Sequence, residues 1–109
     1  MTEIQSEESL LKEKTLDVLK NVKDPELGLD VVFLGLIRGL EFKKQSDEKF
    51  SVIIKLTLTS PSCPYAGQMV DHVKTVVSQL DFVQDVQISL ELIPPWEPPE
   101  EVKELFGWS

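Results

Sequence analysis

The chain has 109 residues, enough for one domain with one core. Its formal net charge of -8 speaks against nucleic acid and against anionic membranes, and a hydrophobic content of 41% excludes global disorder. No apolar run reaches the roughly 20 residues of a membrane-spanning helix. The acidic start Met1-Thr2-Glu3-Ile4-Gln5-Ser6-Glu7-Glu8 has no signal-peptide core, and one cysteine forms no internal disulfide, so a cytoplasmic location is expected.

Ser6 reads as a helix cap, with Glu7 and Glu8 in the first turn, where the helix dipole favours acids. Leu11, Thr15, Val18, Leu19 and Val22 fall on one helical stripe, and Pro25 stops the helix before Asp24. Asp24-Pro25-Glu26-Leu27-Gly28 follows as an ordered turn. The apolar run from Val31 to Ile37 leads into a first strand, in which Leu36, Arg38, Leu40 and Phe42 alternate. Lys43 to Lys49 is polar and reads as a hairpin loop. In the second strand Phe50, Val52, Ile54, Leu56 and Leu58 point to the core, and Thr57 and Thr59 share the opposite face. A second helix is expected from Pro64 to about Leu80, burying Ala66, Met69, Val73, Val76, Val77 and Leu80. A third strand carries Val86, Ile88, Leu90 and Leu92 on one face. Pro94-Pro95-Trp96-Glu97-Pro98-Pro99 ends regular structure, and Glu100 to Phe106 reads as one or two helical turns.

The order helix-strand-strand-helix-strand, with a short C-terminal helical tail, predicts an α/β (α+β) fold. It is expected to be a compact two-layer sandwich with helices on one face of a small mixed sheet. The last strand should pair in parallel with a neighbour, because a helix links it to the strand before. Residues 1–109 read as a single domain, with 94–109 a Pro/Trp-rich tail.

Cys63 is the only cysteine and sits in Thr57-Leu58-Thr59-Ser60-Pro61-Ser62-Cys63-Pro64-Tyr65-Ala66, between a strand and a helix. Pro64 suits the first helical position, because it lacks the N–H that would be orphaned there. A thiol at that end feels the positive pole of the helix, which favours the thiolate, the form that binds soft metals and attacks electrophiles. Two readings stay open. Cys63 is a small buried hydrophobe, or it is a ligating thiolate tuned by the hydroxyls of Thr57, Thr59, Ser60 and Ser62. One thiolate does not complete a structural zinc or iron–sulfur site, each of which calls for about four ligands. A homodimer would offer two thiolates, with the rest from a small thiol or a client protein. Such a site would be labile, as suits a carrier.

Asp24 and Glu26 are explained either as parts of a helix-terminating turn or as carboxylates beside Cys63. His72, the single histidine, lies on the flank of the second helical stripe, and is a half-exposed surface residue or a ligand or base. Trp96 reads as packing the tail onto the core. Trp108 is open between packing and a partner anchor. There is no Gly-rich phosphate loop and no cluster of basic residues with aromatics.

Three segments together resemble the metal–sulfur cluster biosynthesis family, which includes SufT, the PaaD-type proteins and the eukaryotic cytosolic iron–sulfur targeting factor. They are Asp24-Pro25-Glu26-Leu27-Gly28-Leu29-Asp30-Val31-Val32, Leu34-Gly35-Leu36-Ile37 and Thr57-Leu58-Thr59-Ser60-Pro61-Ser62-Cys63-Pro64. The resemblance covers nearly the whole chain. It implies a compact α/β domain and a non-catalytic accessory role in iron–sulfur cluster assembly or delivery. The family's hallmark positions carry over to Asp24, Glu26, Thr57, Thr59 and Cys63, with Cys63 as the thiolate for a labile iron–sulfur cluster or iron and the other four shaping its surroundings. No tightly bound cofactor is implied. The implied partners are client apoproteins and the assembly machinery. Two positions depart from the family's pattern. Phe33 stands where an acidic or amide residue is usual, and Arg38 where an aromatic is frequent. A metal-free adaptor that recruits clients, and a thiol redox protein, are the competing readings.

Overall fold

The structure, a computed structural model, describes residues 2–25, 27–46, 48–59 and 66–108. Its elements are α1 (Thr2–Leu19), β1 (Ile37–Lys44), β2 (Phe50–Leu56), α2 (Ala66–Ser78), β3 (Val83–Leu90) and α3 (Glu100–Phe106).

Helix α1 starts four residues earlier than the cap expected at Ser6. Once nucleated, a helix gains one hydrogen bond for each further residue, and acids in the first turn suit its dipole. Its predicted stripe holds for Leu11, Thr15, Leu19 and Val22, which are buried, while Val18 is partly buried against the core. The Thr15 hydroxyl is satisfied by donating to Leu11 O at 2.7 Å. The helix ends at Leu19, short of Asp24. Asn21 N–H bonds to Val18 O and Val22 N–H to Leu19 O, so the last turn tightens to i→i+3 spacing.

The sheet has the order β1-β2-β3, with β1 antiparallel and β3 parallel to the central β2. The parallel pair follows from the crossover through α2, as expected. Val52, Ile54 and Leu56 are buried against α2 residues Met69, Val73 and Val77, with Leu19, Val22 and Val31 in the same core. The opposite face is mostly polar. There Ser51 Oγ donates to Asp85 Oδ1 at 2.6 Å, and Lys55 Nζ pairs with Glu41 Oε2 at 2.9 Å.

One strand differs from the expected phase and another from the expected extent. In β1 the register shifts between Ile37 and Gly39, so Ile37 faces Leu56 and Arg38 is the extra residue of a β-bulge. Leu36 is buried ahead of the strand rather than within its alternation. Strand β3 begins at Val83 and stops at Leu90, which leaves Leu92 outside it and partly exposed. Leu90 pairs with Leu56, the last residue of β2, and Glu91 N–H makes the closing bond to Leu56 O at 2.8 Å. Past that point β2 offers no further ladder.

The tail packs on the core. Trp96 Nε1 donates to Leu34 O at 2.6 Å, and Val102 of α3 is fully buried. Helix α3 ends at Gly107, whose φ of 72° is a left-handed cap that glycine adopts at least cost.

Candidate functional site

The segment between α1 and β1 is folded tightly on itself. Asp24 N–H donates to Leu29 O at 2.9 Å, and Gly28 N–H returns to Asp24 O at 2.8 Å. Lys23 and Asp30 form an isolated bridge, and Val31 N–H reaches Val22 O at 3.0 Å. Gly35, with φ 75°, turns the chain toward β1. Val22, Val31, Leu34 and Leu36 anchor this loop in the core.

That anchoring buries Asp24, only 1% exposed. A buried carboxylate is costly unless it is hydrogen-bonded. Asp24 Oδ1 accepts Leu27 N–H at 3.0 Å, and Oδ2 accepts the Thr59 hydroxyl at 3.2 Å. The expected turn and the expected threonine face are therefore one piece of structure, joined across 35 positions of chain.

Thr57 lies beside them. Its N–H donates to Leu36 O at 2.9 Å, which ties the end of β2 to the end of the same loop. Its side chain is 1% exposed, and Oγ1 has no hydrogen-bond partner among the described residues. Buried hydroxyls nearly always have one, so this orphan calls for an explanation.

Of the five expected site residues, Asp24, Thr57 and Thr59 converge at this end of the sheet. Glu26 and Cys63 lie outside the described residues, as do Ser60, Ser62 and Pro64. The chain enters the Cys63 segment directly after Thr59 and leaves it into α2. His72 is exposed on α2. Among the described residues, no three of His, Cys, Asp or Glu come together to hold a metal. At the Phe33 departure, the backbone N–H caps on Asp30 Oδ1 at 2.8 Å and the ring is partly exposed. At the Arg38 departure, Nη1 donates to Glu91 O at 3.0 Å. The sequence signal for Arg38 was its being the only arginine.

A crevice of about 470 Å³ lies between α1 and the β1–β2 hairpin, lined by Leu10, Leu11, Lys14, Lys49, Phe50 and Phe82 among others. It sits at the start of β2, opposite the Asp24 site. Among the described residues, no helix is long and apolar enough to cross a membrane.

The comparisons with known proteins bear on the family and the fold. Residues 12–90 match the family described as "Iron-sulfur cluster assembly protein". The chain is 40% identical over 75 residues to "Fe-S protein maturation auxiliary factor SufT" of Staphylococcus aureus, covering 69% of this chain and 81% of that protein. It is 40% identical over 89 residues to "Fe-S protein maturation auxiliary factor YitW" of Bacillus subtilis, covering 82% and 83%. Among solved structures, a domain of unknown function (DUF59) from Bacillus anthracis superposes with a TM-score of 0.76 at 31% identity, over 93% of this chain and 95% of that one. With a family match over residues 12–90 and relatives at 40% identity, the chain belongs to the iron–sulfur cluster assembly protein family.

Proposed function

We propose that this chain is a non-catalytic accessory factor that helps assemble iron–sulfur clusters or deliver them to client apoproteins, with Cys63 as the thiolate that holds the cluster or iron as cargo. The observation that carries this reading is the unpartnered Thr57 hydroxyl, buried at the strand end from which the chain enters the Cys63 segment. A hydroxyl donates to a sulfur ligand or a bound anion, and such outer contacts tune a metal–thiolate site. Asp24, already holding Thr59, fixes the base of the Cys63 segment, and Glu26 completes the acidic pair. Residues 1–109 act as one domain, acidic and cytoplasmic, whose partners are client apoproteins and assembly machinery. Ligands beyond one thiolate come from a second copy of the chain, a small thiol or the client.

Anaerobic reconstitution with iron and sulfide tests this reading. Wild type is expected to carry iron and acid-labile sulfide through gel filtration, and Cys63→Ala to carry neither. If both proteins emerge empty, the cargo reading falls.

A second reading is a metal-free adaptor, and one observation favours it. Leu105, Phe106 and Trp108 are 61%, 40% and 42% exposed, and the Phe106 and Trp108 rings stack with centroids 4.9 Å apart. Exposed aromatics of this kind anchor partners. On that reading Cys63→Ala keeps client binding, and removal of residues 105–109 abolishes it.

A further inference from the structure

Arg38 is the single arginine of a chain with 19 acidic residues, and it makes no ion pair among the described residues. It is the bulged residue of β1, and bulges re-aim side chains, often beside functional sites. Its side chain reaches past the central strand β2 to donate from Nη1 to Glu91 O at 3.0 Å. Glu91 N–H in turn donates to Leu56 O, the residue before Thr57, and Leu36, two residues before Arg38, accepts Thr57 N–H. The guanidinium is thus held at the end of β2 that carries the orphaned Thr57 hydroxyl. It is half-buried, and its neighbour Lys55 is already paired with Glu41.

A guanidinium has five N–H donors in a rigid fork, and the bond to Glu91 O occupies one. The group that fits the free donors is a carboxylate, taken in a bidentate pair. With a net charge of -8, the chain's field opposes a large acidic partner more than a small ligand with one or two charges. We propose that Arg38 binds the carboxylate of a small thiol ligand at the Thr57 end of the sheet. The sulfur of that thiol then supplies a ligand that a chain with one cysteine lacks. The destination of the sulfur rests on the cargo reading above, whereas the carboxylate contact stands apart from it.

As the sole arginine, Arg38 gives a single side-chain Nε–Hε resonance, which serves as the reporter. The metal-free full chain, labelled with ¹⁵N, is titrated with mercaptopropionate, with its amide mercaptopropanamide, and with propionate. A saturable shift is expected with both carboxylates and about tenfold weaker binding, or none, with the amide. In Arg38→Gln, folded by its backbone spectrum, the preference of the remaining amide signals near Thr57 for carboxylate over amide should vanish. Arg38→Lys, which keeps the charge without the fork, should weaken it. No shift, equal shifts with thiol acid and thiol amide, or a preference that survives in Arg38→Gln would each overturn the proposal. If Arg38→Gln does not fold, an undiminished preference in Arg38→Lys overturns it instead. A plain structural brace between β1 and β3 would lower the melting temperature on substitution but show no carboxylate preference. A carboxylate-selective shift in a protein that retains no iron or sulfide sinks the cargo reading and leaves the Arg38 site standing. Cargo retention without that shift does the reverse.

Discussion

At the scale of residues, the site is built from polar groups that the core forces into contact. Asp24 is buried because Val22 and Val31 on either side of it are core residues, and its carboxylate then has to be satisfied locally by Leu27 N–H and at long range by Thr59. Thr57 is buried by the same loop but is left with an unpartnered hydroxyl. Replacing that hydroxyl by a methyl removes a desolvation cost and no hydrogen bond. Thr57→Val is therefore expected to match wild type in stability or to exceed it by up to about 1 kcal/mol in urea unfolding. The same variant is expected to retain less iron and sulfide after reconstitution. A loss of more than about 1 kcal/mol would show that the hydroxyl is partnered after all. The candidate residues themselves were legible in the sequence, since Asp, Pro and Gly mark a turn and alternating threonines mark one strand face. Burial was not legible. Thr57 and Thr59 share a face that alternation assigns to solvent, and it is the folded loop, through Asp24 and Leu36, that packs against it.

At the scale of elements, hydrophobic periodicity found all three strands and both long helices, while strand ends and phases were set by pairing. The bulge at Arg38 has no local signature, because it exists only as a mismatch between β1 and β2. The stop at Leu90 reflects the end of β2 rather than anything in β3 itself. The exposed face of the hairpin carries one electrostatic pair whose pH response can be stated. The Lys55 ammonium beside Glu41 holds that carboxyl below its ordinary 4.5, and Glu41 holds Lys55 above its ordinary 10.5. The Glu41 share of stability is present above the unfolded carboxyl's value and is lost as pH falls through the lowered folded one. The Lys55 share is present below the unfolded ammonium's value and is lost as pH rises through the raised folded one. Both shares are present well inside the window from 4.5 to 10.5. The pair is exposed, so its contribution is small and screened by salt. Glu41→Gln should lower the melting temperature slightly at neutral pH and low salt. The difference should disappear well below pH 4.5, where the wild-type carboxyl is protonated. A difference that persists there would mean that packing, not charge, holds the pair.

At the scale of the molecule, the Pro/Trp-rich tail is part of the core. Trp96 bonds to Leu34 O, and Val102 is as buried as Val52, Ile54 and Leu56 of β2. Truncating that side chain should cost about 2 kcal/mol, from lost transfer energy and a residual cavity. Val102→Ala is thus expected to shift the urea midpoint down with an unchanged slope. An unchanged midpoint would mean that α3 is detachable from the fold. The exposed end of the same helix, from Leu105 to Trp108, is where the adaptor reading would act.

What the sequence by itself determined about this protein was the order of its elements, most of the residues facing the core and the turn at Asp24. These follow from helical and strand periodicity and from the sterics of proline and glycine, which act between near neighbours in the chain. Only the tertiary structure decided that Asp24 meets Thr59, that Thr57 is buried without a partner and that Arg38 bridges from β1 to the end of β3. Each of these joins or encloses groups far apart in sequence. Such contacts depend on which strands pair and in what register, and no local pattern specifies that.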